Sequence, residues 1–287
     1  MNTAADGMHR DGGGIIAILL DWAGTTIDHG SRGPAAVFVE IFRRRGVEIT
    51  VAEARGPMGR AKLDHIAAVA ALPRVAHAWR GVHGHAPARA DVEAMYHEFL
   101  PLQREVLARE TIVIPGVVEA VAACRALGMR VGSTTGYTRE LMDVVAPLAA
   151  AQGYAPDVIV CADDVSQGRP APWMNLRAAE ALRAYPLHQV VAVDDTPVGI
   201  AAGRHAGCIT VAVSRTGNAL GLSLDEVETL PPADLAERLA VIEREFRAVG
   251  ADHVIASVAD LPALLSTLTI KPSGVEAIRG PAVPTGG

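Results

Sequence analysis

Three cysteines in 287 residues leave little for a disulfide framework. Cys124, Cys161 and Cys208 are widely spaced, none belongs to a CxxC pair and each lies in an apolar stretch, so reduced thiols are expected. Excess positive charge is also absent. Lysine and arginine number 26 against 32 aspartates and glutamates, a formal net charge of -6, which offers no basic field to a nucleic-acid backbone. No apolar run is long enough to cross a bilayer. Residues 1–14 lack the apolar segment of a signal peptide and include Gly12-Gly13-Gly14, so a flexible leader and a cytoplasmic location are expected. Neither a nucleic acid nor a membrane is expected as a partner.

With half of its residues apolar, the chain can bury a sizeable core in one large or two unequal domains. One stretch organises it: Ile15 to Thr26, IIAILLDWAGTT. Six apolar residues in a row, β-branched at the start, predict a short strand buried on both faces. The run ends at Asp21 and turns at Gly24, which puts a carboxylate at the tip of a central strand, where open α/β sheets bind their ligands. Alone, such an aspartate could equally cap the strand end.

After Gly30 the pattern becomes helical. Pro34 suits a first helical turn, Val37, Phe38, Ile41 and Phe42 share a face, and Gly46 stops the helix. Thr50 and Glu53 form a capping box opening a second helix, which Gly56-Pro57-Met58-Gly59 interrupts. A third begins near Lys62, and another spans about 91–109 with a kink expected at Pro101. Residues 31–112 thus read as an all-helical insertion. His83-Gly84-His85 reads as a polar loop within it.

From Pro115 onward strands and helices alternate. Strands are expected at 129–135, 158–161, 190–193, 209–213 and 253–256, with Thr138 capping a helix after the first of them. Repeated strand and helix units imply an α/β, Rossmann-like parallel sheet formed by 15–30 and 113–270. The segment 271–287, rich in Pro and Gly, is expected to be a disordered tail.

Four polar groups should meet at one end of that sheet: Asp21, Thr135, Arg169 and the pair Asp194-Asp195. Carboxylates facing one cleft repel each other unless a hard cation lies between them, which points to Mg2+ held by few carboxylates, a backbone oxygen and waters. A threonine hydroxyl, the backbone amides near Gly136 and an arginine would grip a phosphoryl group. Together they specify phosphoryl transfer with Asp21 as nucleophile.

The motifs DWAGTT, STTGYTRE, GRPAPWM and VDDT resemble, in order, those of the haloacid dehalogenase superfamily, and the helical insertion resembles its cap. That resemblance implies a second aspartate two residues after the nucleophile, acting as general acid on ester leaving groups. Ala23 stands there instead, which argues against an ordinary ester phosphatase. The segment GPMGRAKLDH, residues 56–65, further resembles the phosphonoacetaldehyde hydrolase family, over about 16–264. The resemblance implies that Lys62 forms a Schiff base with the aldehyde of phosphonoacetaldehyde, that His65, three residues on, assists proton transfer, and that Met58 and Tyr137 line the aldehyde pocket. It also implies Mg2+ bound through Asp21, the Ala23 carbonyl and Asp195, with Asp194 behind or instead, a homodimer, and a place in 2-aminoethylphosphonate breakdown. Many superfamily members carry a further aspartate where this chain has Gly199, and Asp194 could supply that charge. Trp22 is expected as a cleft wall or core residue. Lys62, at a helix N-terminus and beneath the cap, should have a pKa lowered from about 10.4. The alternative is a small phosphate-ester phosphatase or phosphomutase of the same fold, in which Lys62 only binds charge, or a silent binder of a phosphorylated metabolite.

Overall fold

The computed structural model describes residues 14–268. The expected leader, apart from Gly14, and the expected tail lie outside the described residues, as do residues 269 and 270 of the expected core.

Strand β1 (Ala17–Leu20) lies inside a parallel sheet with β2 (Arg130–Thr134), β3 (Val158–Val160), β4 (Val190–Asp194), β5 (Ile209–Val213) and β6 (His253–Ile255), in the order β3-β2-β1-β4-β5-β6. Its side chains alternate as a pleated strand requires. Ile18 and Leu20 join a cluster with Val131, Val193 and Leu141 on one face, while Ala17 and Leu19 join Val190, Met174 and Cys208 on the other. All four are buried, which is why the sequence shows an unbroken apolar run. All three thiols are buried and free. Among the described residues no helix is long and apolar enough to cross a membrane.

Five helices, α1 (Arg32–Arg44), α2 (Val51–Arg55), α3 (Lys62–Ala70), α4 (Pro73–His83) and α5 (Arg89–Glu110), fill the segment between β1 and the rest of the sheet. They bury an apolar cluster of their own around Phe38, Phe42, Trp79 and Phe99. The Thr50 and Glu53 capping box forms as expected. Helix α4 was not expected. Its signal is legible, with Pro73 in the first turn and Val75 and Trp79 one turn apart on the buried face. His83 closes that helix rather than standing in a loop, and Gly84, at φ 77°, is its left-handed C-cap. Helix α5 runs through Pro101 as one unbroken element.

Two crossing segments join the helices to the sheet and pair with each other, with Ile27 bridging Val113 and the Ile114 N–H donating to Thr26 O. Beyond them come α6 (Val117–Ala126), α7 (Arg139–Ala151), α8 (Trp173–Ala181), α9 (Pro197–Ala206), α10 (Leu224–Thr229), α11 (Pro232–Ala248) and α12 (Leu261–Thr267). Thr138 caps α7 as expected.

Candidate active site

The register decides which residues meet. Leu20 pairs with Ser133 on one side and with Val193 on the other, so Asp21, Thr135 and Asp194-Asp195 emerge together at the C-terminal edge of three adjacent strands. The chain reverses its direction of growth beside β1, the place where open α/β sheets form a crevice. Asp21, Ala23, Met58, Lys62, Thr135, Gly136, Tyr137, Arg169 and Asp195 all line one cavity of about 20 Å3 there. That space holds about one water molecule.

Burial governs the electrostatics. The Asp21 carboxyl is pushed up to about 7, chiefly by desolvation; Arg169 pulls it down and Asp194 raises it. Asp195 is raised well above the usual carboxylate range by burial, then by Asp21 and Asp194. Arg169 stands between two of the three. Its Nη2 lies 2.7 Å from Asp21 Oδ1 and its Nη1 3.1 Å from Asp194 Oδ2, and Nη2 also donates to the Thr134 hydroxyl at 2.8 Å. The guanidinium expected to hold a phosphoryl group is thus a bridge between carboxylates in this structure. Thr135 Oγ1 accepts the Tyr137 N–H at 3.1 Å, which leaves its own proton free to donate.

The two aspartates after β4 differ in their surroundings. Asp194 Oδ1 accepts the Thr196 N–H at 2.9 Å and its hydroxyl at 2.6 Å, and Asp194 does not line the cavity. Asp195 does, with Oδ2 accepting the Asn218 N–H at 2.7 Å. Gly199 has a steric reason: a Cβ there would fall 1.9 to 2.1 Å from the Asp194 carboxylate. Asp194 occupies the very space that a side chain at 199 would need.

Asp21, Asp194 and Asp195 each offer an oxygen within 4.8 Å of the others, all buried. Arg169 pairs with two of the three carboxylates, and burial first, with the acids' mutual repulsion adding to it, holds Asp21 and Asp195 above the usual carboxylate range. Hard oxygen donors so placed fit a hard metal cation.

Helix α3 delivers Lys62 into the cavity. Its Nζ lies 4.7 Å from the Tyr137 ring centroid and 5.6 Å from that of Phe38. Burial lowers the ammonium from 10.5 to about 8; Asp21 opposes the drop and Arg169 adds to it. His65 shares the helical face but does not line the cavity. It stacks on Phe38 at 3.7 Å, and its Nε2 sits 2.7 Å from Ala54 O. A carbonyl can only accept, so the proton is assigned to Nε2, leaving buried Nδ1 as an unpartnered acceptor. Desolvation, then Lys62, pushes the ring down to about 3, so it is neutral. Trp22 is core, fully buried and edge-on to Tyr154 at 5.1 Å.

Sequence reasoning missed four lining residues: Ser31, Pro34, Gly59 and Thr196. Ser31 is left-handed at φ 49° with a buried, unpartnered Oγ, and nothing in the sequence marks it. Gly59 carried a signal in the GPMG turn. At φ +89°, a Cβ on it would meet Thr196 Oγ1 at 2.4 Å, so glycine lets the α2–α3 turn touch the loop after β4. Gly136 does the same on the other side, where a Cβ would lie 2.8 Å from Arg60 O.

Comparison with known proteins agrees with this geometry. The model of the haloacid dehalogenase-like hydrolases matches residues 15–207. A phosphonoacetaldehyde hydrolase of Paraburkholderia xenovorans (strain LB400) is 49% identical over 247 residues, 86% of this chain and 92% of that protein. One from Bacillus cereus (strain AH187) is 47% identical over 241 residues, 84% and 91% of the two chains. Among solved structures, a phosphonoacetaldehyde hydrolase-like protein from Oleispira antarctica superposes with a TM-score of 0.87 at 37% identity, covering 92% of this chain and 96% of that one. The chain belongs to the haloacid dehalogenase-like hydrolases and, within them, to the family of the phosphonoacetaldehyde hydrolases.

Proposed function

We propose that the protein hydrolyses the carbon-phosphorus bond of phosphonoacetaldehyde to acetaldehyde and phosphate. One observation carries this reading. A buried lysine with a depressed pKa shares a cavity with the Asp21 carboxylate, while position 23 presents a methyl group where an ester phosphatase needs an acid. Relatives named for this activity, 46–49% identical over most of their length, support it.

Cleaving carbon from phosphorus expels a carbanion unless its electrons have somewhere to go. The neutral Lys62 amine adds to the aldehyde and water leaves, giving an iminium one carbon from phosphorus. Asp21 attacks phosphorus in line, and the bonding pair moves onto carbon to form an enamine. Protonation at carbon restores the imine, which water hydrolyses to acetaldehyde and free Lys62, and a second water releases phosphate from Asp21. One water was set free earlier, so one is consumed overall. Thr135, Gly136 and Arg169 hold the phosphonate oxygens, and Met58 and Tyr137 wall the aldehyde. His65, neutral with a bare Nδ1, serves the proton transfers around the imine.

Asp21, Asp195 and the Ala23 carbonyl would hold Mg2+, with Asp194 tied to Thr196 and Arg169 behind them; the ion supplies positive charge against the phosphonate dianion. Residues 31–112 serve as a cap that closes over the substrate and pairs two copies in a homodimer. The setting is cytoplasmic breakdown of 2-aminoethylphosphonate.

Incubation with phosphonoacetaldehyde, Mg2+ and borohydride, followed by peptide mapping, tests the reading. A two-carbon adduct on Lys62 with loss of activity is expected. Phosphate release without an adduct, unaffected by Lys62→Arg, would transfer the protein to the small phosphate-ester phosphatases.

A further inference from the structure

Arg55 ends α2, and its guanidinium is held by three residues distant in sequence. Nη1 donates to Gly30 O at 2.7 Å and to both the backbone oxygen and Oδ1 of Asn218 at 3.1 Å, and Nη2 donates to Gly221 O at 3.1 Å. Asn218 answers with Nδ2 to Arg55 O at 3.3 Å. The fit is built into the backbone. Gly221 is left-handed at φ +68°, and a Cβ on it would lie 2.8 Å from the guanidinium carbon.

This clasp has two ends in the cavity. On one side, the Asn218 N–H donates to Asp195 Oδ2, leaving Oδ1 with a single long contact, the Thr25 hydroxyl at 3.4 Å. Glycines at 24 and 217 admit that carboxylate, since a Cβ at either would come within 2.8 Å of Asp195 side-chain atoms. On the other side, the Met58 N–H returns to Arg55 O, and the same turn leads through Gly59 to Lys62. A planar fork with five donors reaches the crossing segment at Gly30 and the loop of Asn218 and Gly221 at once, in a fixed geometry that an ammonium does not offer.

We propose that Arg55 is a positioning residue that clasps the docked cap to the Asp195 carboxylate through Asn218, so that cation binding at Asp195 and closure of the cap favour each other. Coupling of this kind is reciprocal: whatever closure adds to cation affinity, the cation adds to closure. The inference rests on the reading of Asp195 as a cation ligand.

The test is calorimetric titration of Mg2+ into the full chain, its Arg55→Lys and Asn218→Ala variants and the double variant, with hydrogen exchange of residues 55–62 followed with and without Mg2+. Each single variant is expected to weaken Mg2+ binding by about 5- to 10-fold, at the lower end of measured coupling factors. The double variant should be no weaker than the poorer single one, and Mg2+ should slow exchange at 55–62 only in the unaltered chain. Unchanged Mg2+ affinity in both variants, with faster exchange alone, would reduce Arg55 to a structural tie and overturn the proposal. Independent, additive losses would overturn it as well. An unaltered chain that binds no Mg2+ would instead remove the cation assignment on which it stands.

Discussion

The depressed pKa of Lys62 can be measured as a rate. At pH 7 a lysine with a pKa of 10.5 is neutral in about 0.03% of molecules, whereas one near 8 is neutral in about 9%, a gain of about 300-fold in the form able to attack a carbonyl. The structure supplies that drop by burying Nζ between Tyr137 and Phe38, against the pull of Asp21. Borohydride trapping of the substrate imine in a single turnover, followed from pH 6 to 11, should rise with a midpoint near 8. Asp21→Asn removes the anion that favours the ammonium and should move the midpoint lower still. A midpoint at 10 or above, or an upward move in Asp21→Asn, would refute the reasoning. Stability offers a second check, because the folded pKa lies below the unfolded one. Between about pH 8 and 10.5 the unfolded chain binds the extra proton, so stability rises with pH through that window, by about 3 kcal/mol in all. The rise should vanish from the unfolding free energy of Lys62→Met.

Three further substitutions follow from contacts already described. Gly199→Asp drives a side chain into the Asp194 carboxylate and adds a fourth buried acid, so a fall of about 3 kcal/mol or more in denaturant-melt stability is expected, and a variant as stable as the parent would contradict the packing described around Asp194. Gly136→Ala puts a methyl 2.8 Å from the Arg60 backbone oxygen, so the segment around Arg60 must shift; kcat should fall about 10- to 100-fold, and the melting temperature should drop as well because the atom met is backbone. Phe38→Ala removes the ring that stacks on both His65 and Phe99, at a cost of about 3–5 kcal/mol, read by urea unfolding.

Much of the fold lies open in the sequence because its signals are local. The run before Asp21 is apolar on every residue since β1 is covered on both faces, and the Thr50 and Thr138 caps need only a hydroxyl three residues before an amide. Motif residues at strand ends are legible for the same reason, as the parallel register carries them to one edge. What stayed hidden depends on contacts distant in sequence. Ser31 and Thr196 reach the cavity through a left-handed turn and a loop, neither of which leaves a periodic trace. The tie between Arg55 and Asn218 spans 163 positions, and an arginine ending a five-residue helix looks like any solvated one until the loop after β5 is folded against it. Arg169 was legible as a cation near phosphorus, but its bridge between Asp21 and Asp194 appears only with the side chains in place.

On the proposed cap reading, the cavity of about 20 Å3 would set a limit on how firmly the helical segment should hold. A space of that size does not admit phosphonoacetaldehyde, so under the proposed closure binding would draw on the fraction of molecules whose cap stands open. Apparent affinity falls in proportion to that fraction. Each hydrogen bond of the proposed clasp would then steady the reactive arrangement and make the receptive one rarer. Such a clasp, made of a charged donor and neutral carbonyls that water can replace, would need to hold through a turnover and release between turnovers.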